Sequence, residues 1–271
     1  MAQDSGTVAK LEQVWRSIDK LCESFTEREW KLPTDCPGWT VQDSVAHLVD
    51  YESRMMQRQP PAHVPPERPH MKNDLGRRNE IWIDWYRAKT GAEVLQAYRD
   101  IVAERLEILP TLAPEQLSAP SPASPRGESL ESHLERRVVD CWAHEQDIRR
   151  SVSRPGHQVG PVVDHVMVRM LDAMGPVVGR RAEVPEGSTV SFDLTGPYQT
   201  SLALQIEGGK ARSCDPAPPS LTVRLSMDSE TFICLVFGRW EPDKVLESGR
   251  VLVAGDRQLG YRIVRHMVVT P

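Results

Sequence analysis

No stretch of this 271-residue sequence approaches the ~18–20 continuous apolar residues of a membrane span, so no membrane role is expected. A basic surplus is also missing. The formal net charge is −5, whereas a dedicated nucleic-acid binder normally carries a basic patch or stripe. The opening MAQDSGTVAK has no basic segment followed by an apolar core, and no secretory signal is expected from it. There is no CxxC pair. The five cysteines (Cys22, Cys36, Cys141, Cys214, Cys234) are scattered and odd in number. That pattern argues against a disulfide framework or zinc ribbon and for reduced thiols in a cytoplasmic protein. No internal repeat is present.

What remains is ordinary globular material, 39% hydrophobic and 26% charged, long enough for two domains with a sizeable core. Residues 7–24 place Val8, Leu11, Val14, Trp15, Ile18 and Leu21 at three-and-four spacing and predict an amphipathic helix. PTDCPGW (33–39) breaks the chain. A second helix starts at Thr40, a good N-cap with Asp43 three residues on. Residues 59–70 hold five prolines and predict an irregular loop. A third helix is expected over 75–107, kinked near Gly91, then a proline- and serine-rich loop at 119–127 and a fourth helix over 129–151. Four helices with long connections predict a four-helix bundle.

Beyond SRPG (153–156) the texture changes. One helix around 161–178 precedes the alternating segments TVSFDLTG, TSLALQIEGGKARSC and LTVRLSM. SETFICLVFGR reads as a helix ending at Gly238, RVLVAGD as a strand and RQLGYRIVRHM as a last helix. The fold class is therefore α plus α+β, with a helical domain over 1–155 and an α+β domain over 156–271.

The fourth helix carries the chemistry. At ~100° per residue, His133, Arg137, Asp140, His144 and Asp147 fall within about 80° of one another. Glu135, Glu145, Gln146 and Arg149 cluster opposite, which reads as the solvent face. The ionisable stripe then points into the bundle, where charge is costly unless paired or bound to a metal. Asp140 and His144, four apart, aim two ligand side chains at one point, and His47 on the second helix is the best third. The bland alternative is a buried ion pair. His63, His70 and His157 lie in or beside loops and read as surface residues. Cys36 has no basic partner beside it in sequence, and burial is the expected role of its thiol.

The segments PTDCPGWTVQDSVAHL (33–48) and RVVDCWAHEQDIRR (137–150) together resemble the mycothiol-dependent maleylpyruvate isomerase family of the DinB-like metalloenzyme superfamily. Both occur in the family's order and spacing. TVSFDLTGP, the GRW turn and VAGDRQLGYRIVRHM are similar to its small C-terminal module, related to sterol-carrier folds. The resemblance implies a DinB-like four-helix bundle holding a divalent metal, usually zinc, through His47, Asp140 and His144. The founding isomerase has Glu at the position of Asp140, which puts the isomerase substrate in doubt. It also implies mycothiol, a thiol of actinobacteria, as cofactor, with a small electrophile as substrate for S-transfer or cis–trans isomerisation. Arg137 is then placed to orient an anionic group or bond Asp140, and Asp147 to hold His144 or a neighbouring basic group; the competing reading of both is a buried Arg–Asp pair. A non-catalytic metal- or ligand-binding protein and a metal-dependent hydrolase are the competing readings.

Overall fold

The computed structural model describes residues 5–121 and 127–269. The opening four residues, included in the segment read above for a signal, and residues 122–126 of the predicted loop lie outside them. The chain divides into two compact units, Met1–His157 and Gln158–Pro271. No helix among the described residues is long and apolar enough to cross a membrane.

The first unit is helical: α1 (Ser5–Cys22), α2 (Glu27–Trp30), α3 (Val41–Met55), α4 (Asp74–Arg87), α5 (Gly91–Ile108), α6 (Pro114–Ser118) and α7 (Leu130–Ser151). The two one-turn helices α2 and α6 carry too little periodicity to be read from sequence. Helix α3 begins as expected, with the Thr40 side chain accepting from the Asp43 amide and the Asp43 carboxylate accepting from the Thr40 amide. The single third helix expected over 75–107 is two helices. Thr90 caps α5 in a reciprocal box with Glu93, and an N-cap needs extended backbone, which ends α4 before it. Gly91 is required there for another reason: a Cβ on it would sit 2.0 Å from the Trp30 ring.

Helix α1 packs on α5 and α7, while α3 packs on α4, α5 and α7. The bundle is thus α1, α3, α5 and α7, with α4 as an added layer against α3. Burial follows: α3 and α7 are enclosed on nearly every side. The solvent face expected on α7 is corrected accordingly, because Glu145 and Gln146 are buried. Glu145 is satisfied by Ser17 Oγ at 2.6 Å, Arg149 Nε at 2.8 Å and His157 Nδ1 at 2.7 Å. His157 is therefore no plain surface residue. Nor are His70 and His63, which pair with Glu80 at 3.0 Å and Asp84 at 2.8 Å on α4. These contacts pin the proline-rich loop, and Arg87 gathers Asp43, Glu80 and Asp84 around one guanidinium.

The second unit opens with α8 (Pro161–Asp172) and two short helical turns, α9 (Met174–Pro176) and Val177–Arg181. Strands β1 (Thr189–Thr195), β2 (Thr200–Glu207), β3 (Lys210–Ser213), β4 (Val223–Asp228) and β5 (Leu252–Gly255) form one sheet in the order β3-β2-β1-β4-β5. Neighbours are antiparallel except β1 and β4, which run parallel from Val190↔Val223 to Thr195↔Asp228. The GG turn at 208–209 joins β2 to β3 with both glycines at positive φ. Helices α10 (Ser229–Val236), α11 (Pro242–Glu247) and α12 (Arg257–Arg265) complete the unit. Phe192, Leu225, Phe232 and Ile263 are fully buried in its core.

Candidate metal centre

Three side chains from two facing helices meet in the first unit. His47 projects from the middle of α3, and Asp140 and His144 lie one turn apart on α7. His47 Nε2 is 3.4 Å from Asp140 Oδ2, and His144 Nε2 is 3.7 Å from Asp140 Oδ1. One ligand atom from each residue falls within 4.8 Å of the others. A tetrahedral zinc with bonds of ~2.0–2.1 Å spaces its donors by about 3.3–3.4 Å, so a bound ion would draw the widest pair of these donors together by up to about 1.4 Å. Two imidazole nitrogens and one carboxylate are a donor set suited to zinc or another divalent transition metal.

The electrostatics agree with that fit. Burial pushes His47 down to about 4 against the pull of Asp140, so it is neutral near pH 7 and has a lone pair to give. Desolvation alone would raise the Asp140 carboxyl, but Arg137 and the two histidines hold it well below the usual carboxylate range. The histidine side chains are only 5% and 6% exposed, whereas that of Asp140 is 38% exposed. The cluster is therefore walled by the bundle on the histidine side and reachable on the aspartate side. Trp39, from the PGW turn, lies against both rings, 5.0 Å from His47 and 5.5 Å from His144.

Asp147 and Arg137 flank the trio. Asp147 Oδ2 sits 3.3 Å from His144 Nδ1, within ion-pair distance on the side of the ring away from Asp140. Arg150 holds Asp147 at 2.6 Å and reaches Asp35 in the PTDCPGW turn, also at 2.6 Å. Arg137 bonds Asp140 and is 2% exposed. Of the two roles expected for it, the bond to Asp140 is present. Its guanidinium also engages Glu52 at 3.0 Å.

Several neighbours escaped the sequence reading. Tyr51 stands one turn beyond His47 on α3, with its ring 5.9 Å from the imidazole and 3.8 Å beneath the Arg137 guanidinium. The four-residue spacing from His47 was its available signal. Glu52 had none, since it leaves α3 well off that stripe. Cys36, expected to be buried, is half-exposed, while Cys141 is fully buried and its thiol is pushed up to about 12.

Two solved structures, of the mycothiol-dependent maleylpyruvate isomerase and of a histidine-to-alanine mutant of it, share the fold, each at 15% identity and TM-score 0.57 over 92% of this chain and 91% of theirs. No curated protein matches the chain. Residues 178–267 match the SCP-2 sterol transfer family. Residues 11–149, over half of the chain and including all three clustered side chains, match the Mycothiol maleylpyruvate isomerase N-terminal domain. The chain belongs to the mycothiol-dependent maleylpyruvate isomerase family.

Proposed function

We propose that this chain is a mycothiol-dependent metalloenzyme of the cytoplasm that isomerises, or transfers the thiol to, a small electrophilic substrate. In this reading residues 1–155 carry the metal domain and 156–271 the α+β domain. The observation that carries it is the convergence of His47, Asp140 and His144 with one side open. A divalent ion held there, zinc by preference, would stabilise thiolate over thiol near neutral pH.

The chain's own residues divide the remaining work. His47 and His144 present imidazole nitrogens from opposite helices, and Asp140 supplies the negative charge. Asp147 holds the His144 ring from behind, through the 3.3 Å contact with Nδ1. Arg137 acts on Asp140 rather than on substrate. Trp39 and the helices exclude water from the histidine side, so the thiol and the electrophile approach past Asp140. Addition of the thiol sulfur to a cis alkene carbon converts the double bond into a rotatable single bond, and expulsion of the same thiol returns the trans isomer. At a carbon that bears a leaving group, the sulfur displaces that group, which departs with the electron pair of the broken bond, and the product is a thioether conjugate. The family and the bundle fold support this reading, and five cysteines with no disulfide among them suit a reducing compartment.

The test combines metal analysis with turnover. Purified protein should hold one divalent ion per chain and His144→Ala should lose most of it. Mycothiol should be consumed by, or should isomerise, members of an electrophile panel, and a chelator should abolish this. Metal at full stoichiometry in His144→Ala, or thiol binding with no metal-dependent chemistry across the panel, would overturn the reading.

A further inference from the structure

Behind Asp140 runs a line of buried ionisable side chains that the metal centre itself does not use. Arg137 donates Nη1 to Asp140 Oδ2 and Nε to Glu52 Oε1, the latter at 3.0 Å. Glu52 Oε2 in turn accepts from Arg105 Nε on α5 at 2.9 Å. Side-chain exposure is 1% for Glu52, 2% for Arg137 and 5% for Arg105. The charges alternate along the line from α5 through α3 to α7, and only its last member, Asp140, reaches solvent.

Arg137 has no freedom to leave this line. Its guanidinium lies over the Tyr51 ring at 3.8 Å, and its Nη2 points to Cys141 Sγ at 3.3 Å. It therefore divides its charge between the two carboxylates that flank it. A guanidinium that satisfied its charge wholly on Asp140 would compete with a cation for the same oxygens and repel it. Glu52 prevents this by taking part of the Arg137 charge from the far side. The bond from Arg137 then stays on Oδ2, while Oδ1 faces His144 Nε2 at 3.7 Å.

We propose that Glu52 is a positioning residue for the metal centre: by holding Arg137 from behind, it leaves Asp140 Oδ1 available as a ligand. This rests on the metal reading above. Arg105 has the opposite sign of effect, since it draws Glu52 away from Arg137.

The experiment is a cobalt(II) and zinc(II) titration of metal-free wild type, Glu52→Gln and Arg105→Gln, with folding followed by circular dichroism. Wild type binding neither ion would overturn the metal reading itself. Given wild-type binding, Glu52→Gln should weaken affinity by ~10–100-fold and alter the cobalt absorption bands. Arg105→Gln should bind as tightly as wild type or several-fold tighter. A network that only held the bundle together would weaken binding in both variants, and that result, or unchanged affinity in Glu52→Gln, would overturn the proposal. Should Glu52→Gln fail to fold, Arg105→Gln decides alone: weakened binding overturns the proposal and retained or tighter binding supports it.

Discussion

Asp147 Oδ2 lies 3.3 Å from His144 Nδ1, with the carboxylate 1% exposed. A carboxylate beside Nδ1 favours the tautomer that leaves the Nε2 lone pair free to face His47 and Asp140. Asp147→Asn keeps the size of the side chain and removes the charge. Zinc affinity should fall by ~10–100-fold, as measured by competition with a chromophoric chelator, while far-ultraviolet circular dichroism stays that of wild type. Unchanged affinity would remove Asp147 from any role at the centre.

Gly91→Ala should destabilise the helical unit. The new methyl would sit 2.0 Å from the Trp30 ring, and Trp30 is almost fully buried. Overpacking of this kind costs about 1–3 kcal/mol, visible as a lower midpoint in urea. An equal or raised midpoint would show that Trp30 yields freely.

Asp50 should make stability depend on pH. Burial raises its carboxyl from an ordinary 3.8 to about 7, against the pull of Arg54. A folded-state value above the unfolded one means that stability is fully present below about 4 and is lost as pH rises toward 7. Asp50→Asn removes that titration. Its stability relative to wild type should therefore improve between pH 5 and pH 8, by about 1–3 kcal/mol. A difference independent of pH would mean that Asp50 is ionised throughout.

Thiol labelling should divide the cysteines by burial. Cys36 and Cys214 are half-exposed, whereas Cys22, Cys141 and Cys234 are buried. Burial also pushes the Cys22 thiol far up and the Cys141 thiol to about 12, leaving little thiolate at pH 8. Iodoacetamide on native protein should modify Cys36 and Cys214, as read by mass spectrometry of peptides. Rapid modification of Cys141 would indicate that the bundle opens around α7.

The inward stripe of α7 was legible because a long helix repeats every 3.6 residues and thereby sorts its side chains without reference to anything else. The capped start at Thr40 was legible for a similar reason, since a cap involves residues three apart. The strands of the second unit showed themselves by alternation. The break between α4 and α5 also has a local signal, since Thr90 and Glu93 form a capping box as complete as that of Thr40 and Asp43, but the apolar periodicity that predicts one helix runs through it.

Tertiary structure decided what depends on partners distant in sequence. Glu145 looks like a solvent-facing acid until Ser17 and His157 close around it. Glu52 belongs to no stripe, and its importance arises only because α5 and α7 each bring it an arginine. The parallel pairing of β1 with β4 follows from how the chain crosses over, which alternation does not encode. Local periodicity specifies which face a residue occupies. What stands opposite that face is settled when the chain collapses, because burying a charge is tolerable only where another segment supplies its counter-charge.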